Sequence, residues 1–304
     1  MDEPRPRILI ADPIAAEGID MLRAAGDVDV RTGLSAAELV ALIGAYHALV
    51  VRSETKVTRQ VIEAAPNLQV IGRAGVGVDN IDLEAATERG VIVVNAPQGN
   101  TVAAAEHTVA LLTALARHVA RADASIRKGE WRRTEFVGVE LRGKVLGIIG
   151  LGKIGAEVAR RAVGMDMRVI AHDPFIPDER ARSLGVESVE FDELIAESDF
   201  ITVHPPLTDA TSGMIGPAEL AAMKDGVRLI NVARGGIIDE AALADAVRSG
   251  KVAGAAIDVF TSEPPGENPL LGDPRILVTP HLGASTTEAQ ERVALDVAEQ
   301  IVEV

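Results

Sequence analysis

Short runs of aliphatic and β-branched residues recur along the chain and alternate with longer stretches rich in Ala and Glu. Continuous apolar runs of about four to eight residues are typical of strands buried on both faces, whereas apolar positions three and four residues apart are typical of helices. Strands that alternate with helices in this way form parallel βαβ units. The pattern therefore predicts an α/β protein built on parallel sheets.

The predicted strands fall into two series. The first comprises RILIAD, VDVRT, ALVVR, LQVIGRAG and VIVVNAP, with helices such as SAAELVALIGAY between them. One long Ala-rich helix is predicted from near Asn100, NTVAAAEHTVALLTALARHVARADASIRKG. The second series comprises VLGIIG, RVIAHDP, FITVHP, VRLINVA, AGAAIDVF and RILVTP, and a helix, TEAQERVALDVAEQIVEV, closes the chain. The sequence thus predicts two α/β domains of doubly wound, Rossmann-like type.

Composition narrows the class of function. The chain has 304 residues and a net charge of -15, and an acidic field repels phosphate backbones and anionic lipids. We therefore expect no nucleic-acid or membrane partner. No cysteine is present, which excludes a disulfide framework and a thiolate site, and no His or Asp spacing suggests a metal. The start lacks a signal-peptide pattern and no apolar run approaches ~18 residues, so we expect a cytoplasmic protein.

A glycine-rich motif opens the second series of strands. Gly150, Gly152 and Gly155 form G-x-G-x-x-G between the predicted strand VLGIIG and a helix. In a dinucleotide-binding turn the first glycine makes the turn, the second admits the pyrophosphate and the third lets helix and strand pack closely. The helix N-terminus would hold the anion. The motif alone is weak, because many glycine-rich turns bind nothing.

Asp173 strengthens that interpretation. It ends the next predicted strand, RVIAHDP, about 20 residues beyond the glycines, where the dinucleotide fingerprint requires an acidic residue. A carboxylate there accepts hydrogen bonds from ribose hydroxyls and repels a 2′-phosphate, so NAD is predicted in preference to NADP. The alternative is a simple turn residue before Pro174.

Three polar residues follow later strands of the same series: Arg234 in NVARGGIID, Glu263 in DVFTSEPP and His281 in VTPHLGAST. Ligands of open α/β sheets bind outside the carboxyl ends of strands, so the three side chains are expected to converge on the nicotinamide. A histidine can take a hydroxyl proton, a carboxylate favours its protonated form, and a guanidinium can bind a substrate carboxylate. The alternatives are a capping histidine and two solvated surface charges.

Many ordered motifs give the chain a wider resemblance. Over essentially its whole length it resembles the D-isomer-specific 2-hydroxyacid dehydrogenases, and the motifs that carry the resemblance are RAGVGVDNID, VNAPQGNTVAAAEHT, GIIGLGKIG, HDPF, NVARGGIIDE, AAIDVFTSEPP and TPHLGASTTEAQ. The resemblance implies that His281 is the acid/base, Glu263 its partner and Arg234 the substrate anchor.

The resemblance also implies a domain plan and a cofactor site. It implies a discontinuous substrate-binding domain of residues 1–98 and 286–304, an NAD-binding domain of residues 99–285 that includes the dimerisation helix, and a cleft between them. Besides the glycine motif, the residues implied to line the NAD site are Val76, Lys153, Ile154, Asp173, Pro205, Val232, Asp258 and Gly283.

Two groups of residues are candidates for binding the substrate. In RAGVGVDN, the turn at Ala74 and Gly75 could present N–H groups to a carboxylate, with Arg73 beside them, although a plain turn is the alternative. Arg52, in VVRSETK at another strand end, is a further candidate cation, or else an ordinary surface arginine.

A phosphorylated substrate would need more positive charge. The loop GEWRRTEF offers Arg132 and Arg133, and in the resembling family this segment follows the dimer arm and can reach the neighbouring subunit's cleft. Alternatively, these arginines are solvated or pair with Glu130 and Glu135.

The resemblance favours NAD-dependent oxidation of 3-phosphoglycerate to 3-phosphohydroxypyruvate, at the entry to serine biosynthesis, by a homodimer or dimer-based tetramer. One alternative is another 2-hydroxy acid, as in hydroxypyruvate or glyoxylate reductases and D-lactate dehydrogenases. A second is an NAD-sensing transcriptional corepressor, which shares the fold. The helix that begins near Asn100 is implied to be the dimer arm, with a purely internal helix as the alternative.

Overall fold

The computed structural model describes residues 5–304, which divide into two compact units. The terminal unit comprises residues 5–101 together with Ala284–Val304, and the central unit comprises Val102–Gly283. Within the described residues, no helix combines the length and apolarity that a membrane span requires.

The terminal unit is built on a five-stranded parallel sheet in the order β2-β1-β3-β4-β5. Its strands are short and apolar, and β3 is buried along its whole length. The order reverses between β1 and β3, which makes the carboxyl ends of these two strands the topological switch point of this sheet. The strands are β1 (Arg7–Ile10), β2 (Asp27–Val30), β3 (Ala48–Val51), β4 (Val70–Arg73) and β5 (Ile92–Asn95).

Helices cover both faces of this sheet and create two apolar cores. One face carries the last helix of the chain against the first, and a Cβ on Gly18 would lie 2.7 Å from the carbonyl oxygen of Ala294, so glycine permits this close packing. The other face carries α2, whose N-terminus is closed by a capping box of Ser35 and Glu38. The helices are α1 (Ala16–Ala25), α2 (Ala36–Leu42), α3 (Arg59–Glu63), α4 (Leu83–Glu88) and α12 (Thr287–Glu303).

The central unit contains a seven-stranded parallel sheet in the order β12-β11-β10-β9-β6-β7-β8. From β8 to β11 this is the doubly wound dinucleotide-binding order, with its switch point between β6 and β9. The strands are β6 (Val145–Ile149), β7 (Arg168–His172), β8 (Glu187–Ser188), β9 (Phe200–Val203), β10 (Val227–Asn231), β11 (Val252–Ile257) and β12 (Ile276–Val278). The prediction of two parallel α/β sheets is confirmed.

Two cores lie on opposite faces of the central sheet. Successive residues of a strand point to opposite sides, so Phe200 packs in one core and Ile201 in the other. The helices that cover them are α5 (Thr101–Ala116), α6 (Val119–Arg127), α7 (Lys153–Val163), α8 (Asp178–Ser183), α9 (Phe191–Glu197), α10 (Pro217–Ala222) and α11 (Glu240–Ser249).

The prediction of a single long helix from near Asn100 is wrong, because the structure has two helices there, α5 and α6. The break lies at Arg117 and His118, and His118 adopts the left-handed backbone conformation with a φ of 54°. Much of α5 is buried within the central unit, whereas Val119 and Ile126 of α6 are each 54% exposed. The internal helix and the exposed arm are therefore two successive helices.

Candidate active site

Arg234, Glu263 and His281 lie in loops that follow three neighbouring strands, β10, β11 and β12, at the carboxyl edge of the central sheet. His281 and Glu263 are in direct contact, with 2.7 Å between Nδ1 of the imidazole and Oε2 of the carboxylate. The two side chains are 40% and 37% exposed, so the pair remains open to solvent. This contact fixes one ring nitrogen of His281 and leaves Nε2 for another partner.

The environment of Glu263 favours its charged form. Burial alone would raise its pKa, but the hydrogen bond from His281 and a second one from the Phe260 N–H outweigh burial. The pKa of Glu263 is therefore lowered from its ordinary value, and the carboxylate stays ionised beside the imidazole at neutral pH.

The loop that carries His281 is fastened to Asp258, which follows β11 and is 0% exposed. Its Oδ1 accepts from the Leu282 N–H at 2.7 Å, and its Oδ2 accepts from the Gly283 N–H at 2.9 Å. Its backbone carbonyl accepts from the His281 N–H. Burial would raise the pKa of Asp258, but hydrogen bonds from His107, Thr279 and Leu282 outweigh it and lower that pKa.

Arg234 lies in a tight turn that Asn231 shapes. The Asn231 side chain accepts from the Ala233 N–H at 3.0 Å and donates to the Arg234 carbonyl at 2.8 Å. A Cβ on Gly235 would overlap the backbone of Phe260 and Thr261, so the turn after β10 packs directly on the loop that leads to Glu263. Nη1 of Arg234 donates to the Ala233 carbonyl at 2.7 Å, which ties the guanidinium to this turn.

The glycine motif forms the turn between β6 and α7 and fits a dinucleotide pyrophosphate. Gly150 has a φ of 87°, and a Cβ on Gly155 would overlap the Gly150 carbonyl oxygen. At Gly152, by contrast, a Cβ would meet no atom within 4 Å, so the space above the turn is open. Gly152 is also the N-cap of α7 without a side-chain cap, so N–H groups of the first helical turn are available to an anion.

Asp173 is tied to this turn. Its Oδ2 accepts from the Leu151 N–H at 2.8 Å, and its Oδ1 accepts from the Phe175 N–H at 2.9 Å. The residue thus joins the end of β7 to the glycine turn. Each oxygen retains a lone pair for a ribose hydroxyl.

The other residues predicted at the cofactor lie in different parts of the two units. Lys153 and Ile154 begin α7, and Pro205 packs against Gly150, where a Cβ would lie 2.9 Å from the Pro205 nitrogen. A Cβ on Gly283 would lie 3.0 Å from Val232. Val76 belongs to the terminal unit.

Arg52 of the terminal unit lies just after β3, at the switch point of that sheet. Asp12, which follows β1, accepts from the Arg52 N–H at 2.6 Å and from the Thr55 N–H at 3.1 Å, so its carboxylate ties two loops together. Nη1 of Arg52 makes a long hydrogen bond of 3.4 Å to the Pro13 carbonyl. The backbone of Arg52 is therefore fixed more firmly than its guanidinium.

The turn after β4 departs from what we expected of its N–H groups. The Ala74 N–H donates to the Val51 carbonyl and the Gly75 N–H to the Arg73 carbonyl, so both are already used within the terminal unit. Gly75 has a φ of 156°, a backbone conformation that residues with a side chain rarely adopt, which explains glycine there. Arg73 is thus the group of this turn best suited to a carboxylate.

Arg132 forms the ion pairs with nearby glutamates that the sequence offered as the alternative to phosphate binding. Its guanidinium pairs with Glu130 and, at 3.3 Å, with Glu135, so two carboxylates partly neutralise it. Arg133 begins a short 3₁₀ helix and is exposed. Of the two arginines, Arg133 is the better candidate for a phosphate.

Several residues that shape the site were not predicted from the sequence. Asn231, His107 and Thr279 all contact the site loops, and Glu240 accepts from the Thr261 N–H at 2.7 Å and so braces the loop before Glu263. Polar residues inside apolar segments, such as Asn231 in VRLINVA, were the available signal. Among residues 5–304, no group of three or more His, Asp or Glu side chains could hold a metal ion.

Comparison with known proteins identifies the family. Residues 109–283 match the model of the D-isomer specific 2-hydroxyacid dehydrogenase, NAD binding domain. The chain is 54% identical over 298 residues to D-3-phosphoglycerate dehydrogenase of Archaeoglobus fulgidus, which covers 97% of this chain and 56% of that protein. The chain belongs to the family of D-isomer specific 2-hydroxyacid dehydrogenases. Its central unit is the NAD-binding domain, and NAD is its cofactor.

Two further proteins, one sequence relative and one solved structure, are also similar to the chain. D-3-phosphoglycerate dehydrogenase 2, chloroplastic, of Arabidopsis thaliana is 55% identical over 300 residues, which cover 98% of this chain and 48% of that protein. A glyoxylate reductase structure from Paecilomyes thermophila superimposes with a TM-score of 0.88 at 33% identity and covers 98% of this chain and 95% of its own. The chain spans about half the length of the two D-3-phosphoglycerate dehydrogenases, from Archaeoglobus fulgidus and Arabidopsis thaliana.

Proposed function

We propose that this chain carries the catalytic part of an NAD-dependent D-3-phosphoglycerate dehydrogenase, which oxidises 3-phosphoglycerate to 3-phosphohydroxypyruvate in serine biosynthesis. The observation that carries the proposal is the His281–Glu263 pair of 2.7 Å, at the same sheet edge as Arg234 and in the same unit as the glycine turn. The relatives named D-3-phosphoglycerate dehydrogenase, about half identical over nearly the whole chain, support this choice of substrate.

In the proposed reaction the chain's own residues bind the acid and move a proton. The glycine turn and Asp173 would hold NAD, which would supply the acceptor for the hydride that C2 of the substrate loses. Nε2 of His281 takes the proton of the 2-hydroxyl as the carbonyl forms, and the Glu263 carboxylate stabilises the resulting imidazolium. The guanidinium of Arg234 binds the substrate carboxylate by paired, charge-assisted hydrogen bonds and so orients C2.

The cofactor site in this proposal consists of the glycine turn and Asp173. The N–H groups at the start of α7 would hold the pyrophosphate, and Gly152 leaves the space for it. Asp173 would accept the adenosine ribose hydroxyls, while its negative charge disfavours a 2′-phosphate. Pro205, Val232, Asp258 and the other predicted cofactor residues retain that role as proposals.

A second candidate substrate is an unphosphorylated 2-hydroxy acid. The ion pairs of Arg132 with Glu130 and Glu135 favour it, because they withdraw one of the cations that a phosphate would need. The resemblance to a glyoxylate reductase structure is consistent with the same chemistry on a smaller acid. For 3-phosphoglycerate, Arg52 and Arg133 then become the principal candidates for the phosphate.

We also propose that two copies associate through α6 and the loop after it. Large apolar side chains are exposed on this segment: Val119 and Ile126 at 54%, Trp131 at 77% and Val137 at 78%. Several large apolar side chains exposed on one segment are typical of an interface between subunits. In a dimer the same loop would carry Arg133 towards the neighbouring subunit.

The catalytic assignment is tested with His281→Asn and 3-phosphoglycerate as substrate. Removal of a general acid/base should lower kcat by about 100- to 10,000-fold, while the Kd for NADH stays within about threefold of wild type. NADH formation is followed by absorbance and NADH binding by fluorescence titration. A variant that turns over at nearly the wild-type rate would remove His281 from the proposed role.

A further inference from the structure

A histidine outside the predicted site contacts the loop that carries His281. Nε2 of His107, in α5, lies 3.2 Å from Oδ1 of Asp258 and 3.2 Å from Oγ1 of Thr279. The side chain of His107 is only 19% exposed, in a helix whose inward face is otherwise formed mainly by Ala and Leu. A polar ring in such a position needs a reason beyond packing.

The hydrogen-bond pattern fixes which nitrogen of His107 carries the proton. Asp258 has a lowered pKa, and an ionised carboxylate can accept hydrogen bonds but cannot donate them. The Thr279 hydroxyl donates to the same Oδ1 at 2.5 Å, so its own proton is committed to Asp258. Nε2 of His107 must therefore be the protonated nitrogen, which donates to Asp258 and Thr279 together.

Asp258 in turn holds the His281 loop in an unusual conformation. His281 has a φ of 54°, in the left-handed region that non-glycine residues rarely adopt. The N–H groups of Leu282 and Gly283 bind the Asp258 carboxylate, and the His281 N–H binds the Asp258 carbonyl. Three successive N–H groups thus converge on one buried residue, which maintains the turn that directs His281 towards Glu263.

We propose that His107 is a positioning residue for the reaction: by orienting the Asp258 carboxylate, it keeps His281 in the left-handed turn and in contact with Glu263. This inference rests on the proposed catalytic role of His281. His107 acts through Asp258 and the backbone of the loop, and it is not a proton donor or acceptor in the reaction itself. Thr279, which directly follows β12, also orients the Asp258 carboxylate through the hydrogen bond from its hydroxyl.

The inference is tested with two substitutions of His107 and one control. His107→Leu removes the Nε2 donor, whereas His107→Gln places an amide N–H near the position of Nε2. Thr113→Val, in the same helix, removes a hydroxyl that binds only the helix's own carbonyls and serves as the matched control. The measurements are kcat, KM for 3-phosphoglycerate, Kd for NADH and the midpoint of thermal unfolding.

We expect His107→Leu to lower kcat about tenfold to a hundredfold, because a displaced acid/base loses its reactive geometry. KM and the Kd for NADH should change less than about threefold, His107→Gln should restore most of kcat, and Thr113→Val should match wild type. Equal kcat in His107→Leu and wild type would overturn the inference. So would a loss that His107→Gln does not rescue, since that would indicate a purely structural effect.

The double variant His107→Leu with His281→Asn separates this inference from the proposed function. If His107 acts through His281, the double variant should be no slower than His281→Asn alone. A further tenfold loss would contradict positioning through His281. If His281→Asn itself keeps wild-type turnover, the proposed function fails first, whatever the His107 variants show.

Discussion

Glu263 accepts hydrogen bonds from both His281 and the Phe260 N–H, and its pKa lies below the ordinary value, so its charge is present wherever the enzyme would work. Glu263→Gln removes that charge but keeps the size of the side chain. Because the carboxylate stabilises the imidazolium, its loss should move the acidic limb of the kcat/KM profile to lower pH.

This shift is measured with steady-state rates between pH 5 and 10 in the wild type, Glu263→Gln and Glu267→Gln. Glu267 lies exposed in the same loop and is the control for a change of charge alone. An acidic limb that does not move in Glu263→Gln would argue against the pairing.

His204 offers a residue-scale prediction about stability. Burial lowers the pKa of His204 to about 4, and its Nε2 contacts the Thr202 hydroxyl at 3.0 Å. The folded state therefore holds a neutral imidazole, whereas the unfolded chain takes up a proton near pH 6.5. The contribution of this pKa difference to the free energy of unfolding is therefore fully present above pH 6.5, and it is lost progressively as the pH falls towards about 4.

We expect the free energy of unfolding of His204→Gln to depend less on pH than that of wild type over that interval. Urea unfolding at pH 7, 5.5 and 4.5 measures the two slopes. His204 keeps part of its surface exposed, so the difference should be smaller than complete burial would give. Parallel slopes would show that His204 takes up its proton in the folded state as it does in the unfolded chain.

Among single residues, the sequence pointed to polar residues that directly follow a predicted strand. The contact of Glu263 with His281 joins two such residues, and each follows a strand in a motif with Gly or Pro. His107 was not predicted, because its partners Asp258 and Thr279 are far away in the chain and only the packing of α5 brings them together.

Among the elements, the turn between β6 and α7, together with Asp173, is the part of the chain that we propose selects the cofactor. Asp173 supplies the negative charge that disfavours a 2′-phosphate, and it also accepts the Leu151 N–H of the turn. Asp173→Asn removes the charge and keeps an oxygen for Leu151. We therefore expect the ratio of kcat/KM for NAD to that for NADP to fall by about tenfold to a hundredfold.

The two ratios are obtained from initial rates with each cofactor at saturating 3-phosphoglycerate. Asp173→Ser is the companion variant, since it loses the charge and also shortens the reach to Leu151. It should bind NAD more weakly than Asp173→Asn does. Equal use of NAD and NADP by the wild type would be incompatible with the assigned role of Asp173.

The elements were predictable where apolar runs and turn residues agreed. The glycine turn and every strand except β8 follow directly from such local signals. Strand β8 was not predicted, because it consists of only two exposed polar residues, Glu187 and Ser188. The break between α5 and α6 could not be predicted in this way, because neither Gly nor Pro occurs at Arg117 and His118 and the helical pattern continues through them. The Gly138 and Val139 segment explains the break in part, since the Val139 N–H donates to the Ala116 carbonyl at the end of α5.

For the whole molecule, the exposed apolar side chains of α6 and the following loop predict self-association. A double substitution, Val119→Asp with Ile126→Asp, should convert a dimer into a monomer at micromolar concentration, because it places two charges on the buried surface. Sedimentation velocity measures the change. Val302→Asp, at an apolar residue that is 49% exposed on α12, is the control and should leave the dimer intact. A wild-type protein that sediments as a monomer would contradict the assigned interface.

The sequence indicated two domains, but it could not show how the turn after β4 uses its N–H groups. Hydrogen bonds from Ala74 and Gly75 to backbone carbonyls depend on the register of β3 and β4, which a single sequence does not fix. The pairing of Arg132 with two nearby glutamates was one of two alternatives until the loop conformation was known.

The phosphate of the substrate is the central claim, and the most direct test compares 3-phosphoglycerate with D-glycerate, the same acid without the phosphate. A charge-assisted bond contributes ~1.5–3 kcal/mol, so kcat/KM for 3-phosphoglycerate should exceed that for D-glycerate by about tenfold to a hundredfold for each arginine engaged. Arg52→Gln and Arg133→Gln should each reduce that ratio, chiefly through KM. Equal kcat/KM for the two acids in the wild type, or a preference for D-glycerate, would contradict the account.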